Sequence, residues 1–151
     1  MGRQQRQVKE KMDNSRIRVL DITVYDEQGR HWESQEISEP SWEDIENSIR
    51  QLDRFRRPFI FLKLPGEDSE DAWLSVVGGD GAYSLNGTLD DNAFWSYYDD
   101  TRSTHEIPVW TSDQGFYPEE KHVCYEIEKV LKIARYFVEH GEFDPSVGWS
   151  K

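Results

Sequence analysis

Apolar residues in this chain follow two different rhythms, and the order of those rhythms is the strongest constraint on its fold. Alternation of period two opens the chain: Leu20, Ile22 and Val24 share one face, Asp26-Gly29 supplies turn chemistry, and a second strand runs from about His31 to Ile37. A helix follows. Ser41 is its N-cap, Asp44 takes the capping-box position, and Trp42, Ile45, Ile49 and Leu52 fall on one stripe. Its expected end is the cationic run Arg54-Arg57, with Pro58 as the stop. Strand-like segments then follow one another: Phe59–Leu62, Ala72–Val77, Ala82–Leu85, Ala93–Tyr98, Ile107–Thr111 and about Phe116 to Cys124. Only at the end does a second helix come. Ile127, Val130, Leu131, Ala134, Phe137 and Val138 keep i, i+3, i+4, i+7 spacing, and Gly141 sits just past the helix.

Parallel pairing needs a crossover, usually a helix, between strands, and here most strands have none. The order therefore predicts an α+β fold: a largely antiparallel sheet of about six to eight strands with two main helices, one after the first hairpin and one near the C-terminus. Phe59–Leu62 is apolar on both faces and is expected as a central strand covered on each side. Gly78-Gly79-Asp80-Gly81 reads as a hairpin turn, and Asn86-Gly87-Thr88, which matches a glycosylation acceptor, reads as a turn. Trp149 is expected to dock the tail on the body. The expected organisation is a flexible basic arm over residues 1–15 and a single domain over 16–151.

At 151 residues the chain can build one sizeable core, even with only 36% hydrophobic residues, because 13% are aromatic and six are Trp. Charge is unevenly placed. The net charge is −12, yet the first 20 residues carry +4 and the remainder −16. Between Leu64 and Thr101 there is no Lys or Arg against nine acids: Glu67, Asp68, Glu70, Asp71, Asp80, Asp90, Asp91, Asp99 and Asp100. Such a stretch repels phosphate backbones, so direct nucleic-acid binding is not expected, and it attracts cationic protein surfaces. No apolar run is long enough to span a bilayer, and the N-terminus has no signal-like apolar region. The lone Cys124 reads as a buried, inert thiol, which suits a reducing cytoplasm.

The motifs of catalysis are missing. His31, His105, His122 and His140 have no metal-ligand spacing, and there is no HExxH, CxxC or GxSxG. Neither a cofactor nor a metal is expected: the acids at 67–71 lack the EF-hand spacing. The pairs Asp90-Asp91 and Asp99-Asp100 could serve a hydrolase as paired carboxylates, but adjacent acids in a polar run read first as a solvated face. What stands out instead is acids interleaved with large aromatics, Trp95 among them. Anchors inside a charged rim are how protein interfaces gain affinity and orientation. The candidate contact residues are accordingly Glu67, Asp68, Glu70, Asp71, Asp90, Asp91, Trp95, Asp99 and Asp100.

From about Trp42 to Trp149 the chain resembles a known family. The resemblance is carried by Trp42-Glu43-Asp44-Ile45 leading to Leu52-Asp53, by Trp73-Leu74-Ser75-Val76-Val77-Gly78-Gly79-Asp80-Gly81-Ala82-Tyr83, and by Ala134-Arg135-Tyr136-Phe137, Gly141-Glu142-Phe143-Asp144-Pro145 and Trp149. These residues are similar to those of the bacterial polymorphic-toxin immunity proteins, Imm type one. The resemblance implies an α+β fold and a non-enzymatic antidote that blocks a toxin by tight binding, often a toxin of the nucleic-acid deaminase superfamily. Gly78, Gly79 and Trp149 match family positions and are read as structural. The expected partner is a cognate toxin with a basic surface. The alternative is an adaptor or regulatory domain that binds another protein or a small ligand.

Overall fold

The computed structural model describes residues 16–64 and 72–151. The basic arm at 1–15 and the acids Glu67, Asp68, Glu70 and Asp71 lie outside the described residues. Seven strands and two helices follow in the order β1 (Val19–Tyr25), β2 (Trp32–Ser38), α1 (Trp42–Arg50), β3 (Phe59–Lys63), β4 (Trp73–Gly79), β5 (Ala82–Thr88), β6 (Phe94–Tyr98), α2 (Ile127–His140) and β7 (Gly148–Ser150). They form one antiparallel sheet in the order β2-β1-β3-β4-β5-β6-β7. This is the α+β class that the segment order requires.

Both helices lie on one face of the sheet. Leu20, Ile60, Leu62, Leu74, Val76 and Leu85 point into that layer and meet Ile45 and Ile49 of α1 and Val130, Ile133, Ala134 and Phe137 of α2. All of these are fully buried. Each Leu, Ile or Phe so placed contributes about 1.5–3 kcal/mol of burial. The start of α1 is set locally. The Ser41 Oγ accepts from the Asp44 amide at 3.1 Å, and the Asp44 carboxylate accepts from the Ser41 amide at 3.0 Å. At the far end of α2, Gly141 takes a left-handed φ of 67° and donates its amide to Phe137 O at 2.8 Å.

Several local expectations are corrected. Helix α1 stops at Arg50, not in the Arg54-Arg57 run, because the Asp53 carboxylate accepts the amides of Phe55 and Arg57 and turns the chain, with Arg54 at a φ of 73°. Those arginines serve carbonyls instead: Arg54 donates to Gly79 O and Asp80 O, and Arg56 to Tyr25 O. Asn86-Gly87-Thr88 is no turn but the end of β5. Residues 107–111 and 116–124 make isolated bridges, Trp110 with Phe116, Glu106 with Glu119 and Tyr83 with Cys124, rather than strands. The seventh strand comes from the tail: Trp149 pairs with Tyr97, stacks on Phe143 at 4.8 Å and donates its indole N–H to Asp144 O.

The hairpin between β4 and β5 closes through Asp80 and Gly81, both at positive φ (50° and 86°), which is what a two-residue loop matched to strand twist demands. Gly78 and Gly79 therefore end β4 instead of forming the turn. There the backbone of residues 52–58 comes close: Arg54 N donates to Gly78 O, Gly78 N donates to Pro58 O, and Asp53 bridges to Gly79. A Cβ on Gly79 would stand 2.6 Å from Asp53 Cα and from Leu52 O.

Candidate functional site

Placing both helices on one face leaves the other to be covered by loops or by nothing. Segment 99–125 covers part of it: Val109 and Val123 bury themselves against Val77 and Ala82, and Trp110 packs on Phe59 at 5.1 Å. Among the described residues nothing else covers this face. Phe59, Phe61, Trp73 and Phe94 form a chain of ring contacts across three strands, with centroids 5.9, 5.2 and 6.3 Å apart. Strand β3 is thus fully covered on one face and only partly on the other, at Phe59, where its apolar sequence led to the expectation of cover on each side. Of its outward phenylalanines, Phe59 is half-buried under Trp110 of segment 99–125, and Phe61 is half-buried by Phe59 and Trp73.

Trp32 of the edge strand β2 stands at the rim of this face, 59% exposed. Together with Asp21, Ser34, Phe61, Lys63 and Trp73 it borders a groove of about 500 Å³. The polar groups of the groove are tied to each other: Asp21 accepts from Lys63 Nζ at 3.2 Å and from the Ser34 hydroxyl. Glu36 is opposite Asp21 in the β1–β2 register, so it projects from the same face, and it is exposed.

The helix-side surface has a groove of its own, about 660 Å³, between α1, α2 and the tail. The Arg135 guanidinium lies over Trp42 there at 5.0 Å. Asp144 is 2% exposed and accepts from the Ser146 amide, while its second carboxylate oxygen is buried without a hydrogen bond.

The structure does not gather the sequence-predicted residues into one place. Asp90 and Asp91 lie in the turn between β5 and β6, and Asp99 and Asp100 follow β6 at its other end. A five-residue strand at about 3.3 Å per residue puts roughly 15 Å between the two pairs. Asp90, Asp91 and Asp100 are exposed and Asp99 is half-buried. The Asp90 carboxylate accepts the amides of Ala93 and Asn92, and these bonds hold its pKa below the usual carboxylate value. Asp99 is lowered in the same way by the Thr101 hydroxyl and amide. Trp95 projects from the helix-side face, half-buried, with the Lys151 ammonium over its ring at 5.5 Å.

The groove residues Trp32, Phe61 and Trp73 were not among the candidate contact residues read from sequence. The available signal was the outward position of aromatics in strands flanked by polar residues. Reading it required knowing which face the helices cover.

Cys124 is buried and its thiol is pushed up by that burial. Among the described residues no group of three His, Cys, Asp or Glu side chains is placed to hold a metal ion. Among them, too, no helix is long and apolar enough to cross a membrane.

One face buried by helices, the other presenting aromatics among acids, is a surface suited to meeting another protein. A family model described as immunity protein Imm1 matches residues 33–151, and the chain belongs to the Imm1 immunity protein family. That membership gives it an immunity role, and with it a cognate toxin as partner. Among solved structures, the chain is similar to a hypothetical protein from Neisseria gonorrhoeae, with a TM-score of 0.54 and 11% identity, over 91% of this chain and 97% of that one. At that identity the likeness shows the fold alone. No curated protein matches the chain.

Proposed function

We propose that the protein neutralises its toxin by binding over the toxin's active site, without any catalytic step of its own, and that this toxin acts on nucleic acid, as deaminase-type toxins do. The observation that carries the reading is charge. A chain with a net charge of −12 has no Lys or Arg between Leu64 and Thr101. A toxin that handles nucleic acid needs a cationic groove, and an acidic protein competes for it with the substrate's own charge. Asp90 and Asp100 are exposed and Asp99 is half-buried, so these carboxylates can be presented to a partner. Complementary fields also speed encounter, to roughly 10⁸–10⁹ M⁻¹s⁻¹ at low salt.

The test uses the toxin domain encoded beside this gene, assayed on single- and double-stranded DNA and on RNA with increasing amounts of this protein. Activity should fall to nothing at one equivalent. The variant with Asp90, Asp91, Asp99 and Asp100 all changed to Asn keeps the turn-forming acceptor oxygens. It should associate more slowly, with a weaker dependence on salt. Absence of any complex at low salt would defeat the antidote reading, and a complex that leaves the toxin fully active would defeat occlusion.

A further inference from the structure

Strands facing solvent on one side ordinarily alternate apolar-in, polar-out. Here the rule is broken on four of the seven strands: β2 turns Trp32 outward, β3 Phe59 and Phe61, β4 Trp73 and β6 Phe94. Trp32 and Phe94 remain 59% and 49% exposed. Segment 99–125 could have covered this whole face, but it stops at Phe59 and Trp110.

Elsewhere four half-buried rings carry one of the chain's own cations. Arg135 lies over Trp42, Lys151 over Trp95, Arg102 over Tyr125 and Lys121 over Tyr98. No cation of the described residues lies over Trp32, Phe61 or Trp73. The single cation in their groove, Lys63, is held by Asp21. Acids border the same face: Asp21 and Glu36 within it, and Asp90 and Asp91 in the turn that leads to Phe94. Among the described residues the face thus offers aromatic rings with no cation over them, and an exposed Glu36 beside an Asp21 that already holds Lys63.

We infer that this open face is where the toxin docks, and that it receives a cationic segment of the toxin, whose Arg or Lys side chains lie along the groove over Trp32, Phe61 and Trp73 with their charges paired to Glu36 and Asp21. The inference rests on the antidote reading and assigns it a surface. A guanidinium fits best, because it stacks on aromatic rings and forks to a carboxylate at once. Charge decides against the other occupants. An apolar partner would bury Glu36 unpaired. A second copy in a two-fold pairing would set these acids against the same acids. A nucleic acid would meet carboxylates instead of the cations it needs.

The experiment measures the affinity of the toxin domain encoded beside this gene for the full chain and its variants. Trp32→Ala and Glu36→Lys should each raise Kd by about thirtyfold, the loss typical of an interface anchor. Trp32→Phe, which keeps a ring, should recover most of it. Glu142→Lys makes the same charge change on an exposed residue just past α2, and should cost less than about threefold. Trp32 and Glu36 are exposed, so these variants keep the fold, which circular dichroism checks. If the unchanged protein binds the toxin and Trp32→Ala and Glu36→Lys bind equally well, the docking face is wrong and the antidote reading survives. If the unchanged protein fails to bind, both readings fall. A dimer of the protein alone that Trp32→Ala splits would assign the face to a second copy and overturn the inference.

Discussion

Gly79 offers the sharpest test of how the end of β4 is built. Its φ is 145°, and an added Cβ would lie 2.6 Å from Asp53 Cα, Asp53 N and Leu52 O. Carbon contacts relax at about 3.5–4.0 Å, so one strand or the other must move by roughly 1 Å. All three obstacles are backbone, which cannot swing aside as a side chain can. Backbone strain in this region costs about 1–3 kcal/mol, and forcing a methyl into a packed contact costs about 1–3 kcal/mol more. Gly79→Ala should therefore destabilise by about 2–6 kcal/mol, a large part of a domain's net stability of about 5–15 kcal/mol. Gly81→Ala is the matched control. Its φ is 86°, but nothing lies within 4 Å of the added Cβ, so only backbone strain of about 1–2 kcal/mol applies. Both substitutions lower unfolded-state entropy alike, so the difference between them isolates the clash. Urea unfolding followed by tryptophan fluorescence, with slopes compared, measures each. Hydrogen exchange at the Arg54 amide, bonded to Gly78 O, should accelerate in Gly79→Ala alone. If Gly79→Ala costs no more than Gly81→Ala, the close approach of residues 52–58 to β4 is not what demands glycine there.

Two further outcomes follow from local hydrogen bonds. Ser41→Ala removes the acceptor for the Asp44 amide in the capping box and should cost about 1 kcal/mol; an unchanged urea midpoint would show that α1 is held by packing alone. Asp90 and Asp99 should titrate below ordinary carboxylates when followed by NMR, because backbone and hydroxyl donors favour their charged forms. A pKa depressed on folding stabilises the protein above the unfolded value of 3.8, and that contribution fades as pH falls through the folded value. Ordinary or raised values would mean that the turns at 90–93 and 99–101 are not held as described.

Much of the architecture was legible because it is local. Ser41 and Asp44 define a helix start by reaching each other across three residues, and Gly141 ends a helix by a conformation other residues resist. The succession of strands without helices between them left antiparallel pairing as the available solution. The irregular course of residues 99–125 was not legible. Ile107 and Val109 carry strand-like spacing, yet Val109 is spent on covering Val77 and Ala82 across the sheet, so the segment follows the shape of that surface and forms only isolated bridges. Arg54 looked like the end of a helix and is a clasp on Gly79 and Asp80, for which its spacing from Trp42 gave no sign.

The acids show the same division. Their number and their separation from basic residues are properties of the sequence and fix the sign of the field around the molecule. Their arrangement is not. Asp90-Asp91 and Asp99-Asp100 are close in the chain, but β6 is extended and carries them to opposite ends. Likewise, period-two alternation shows that Phe59 and Phe61 share a face, without showing whether that face is buried. The sequence by itself determined the elements, their antiparallel order and an acidic, aromatic-rich character. Only the tertiary structure decided which side α1 and α2 cover, and so which rings, Trp32, Phe61, Trp73 and Phe94, line the opposite face, with Trp32 and Phe94 exposed there. A strand's pattern records that its two faces differ, whereas which one meets a helix depends on elements far away in the chain.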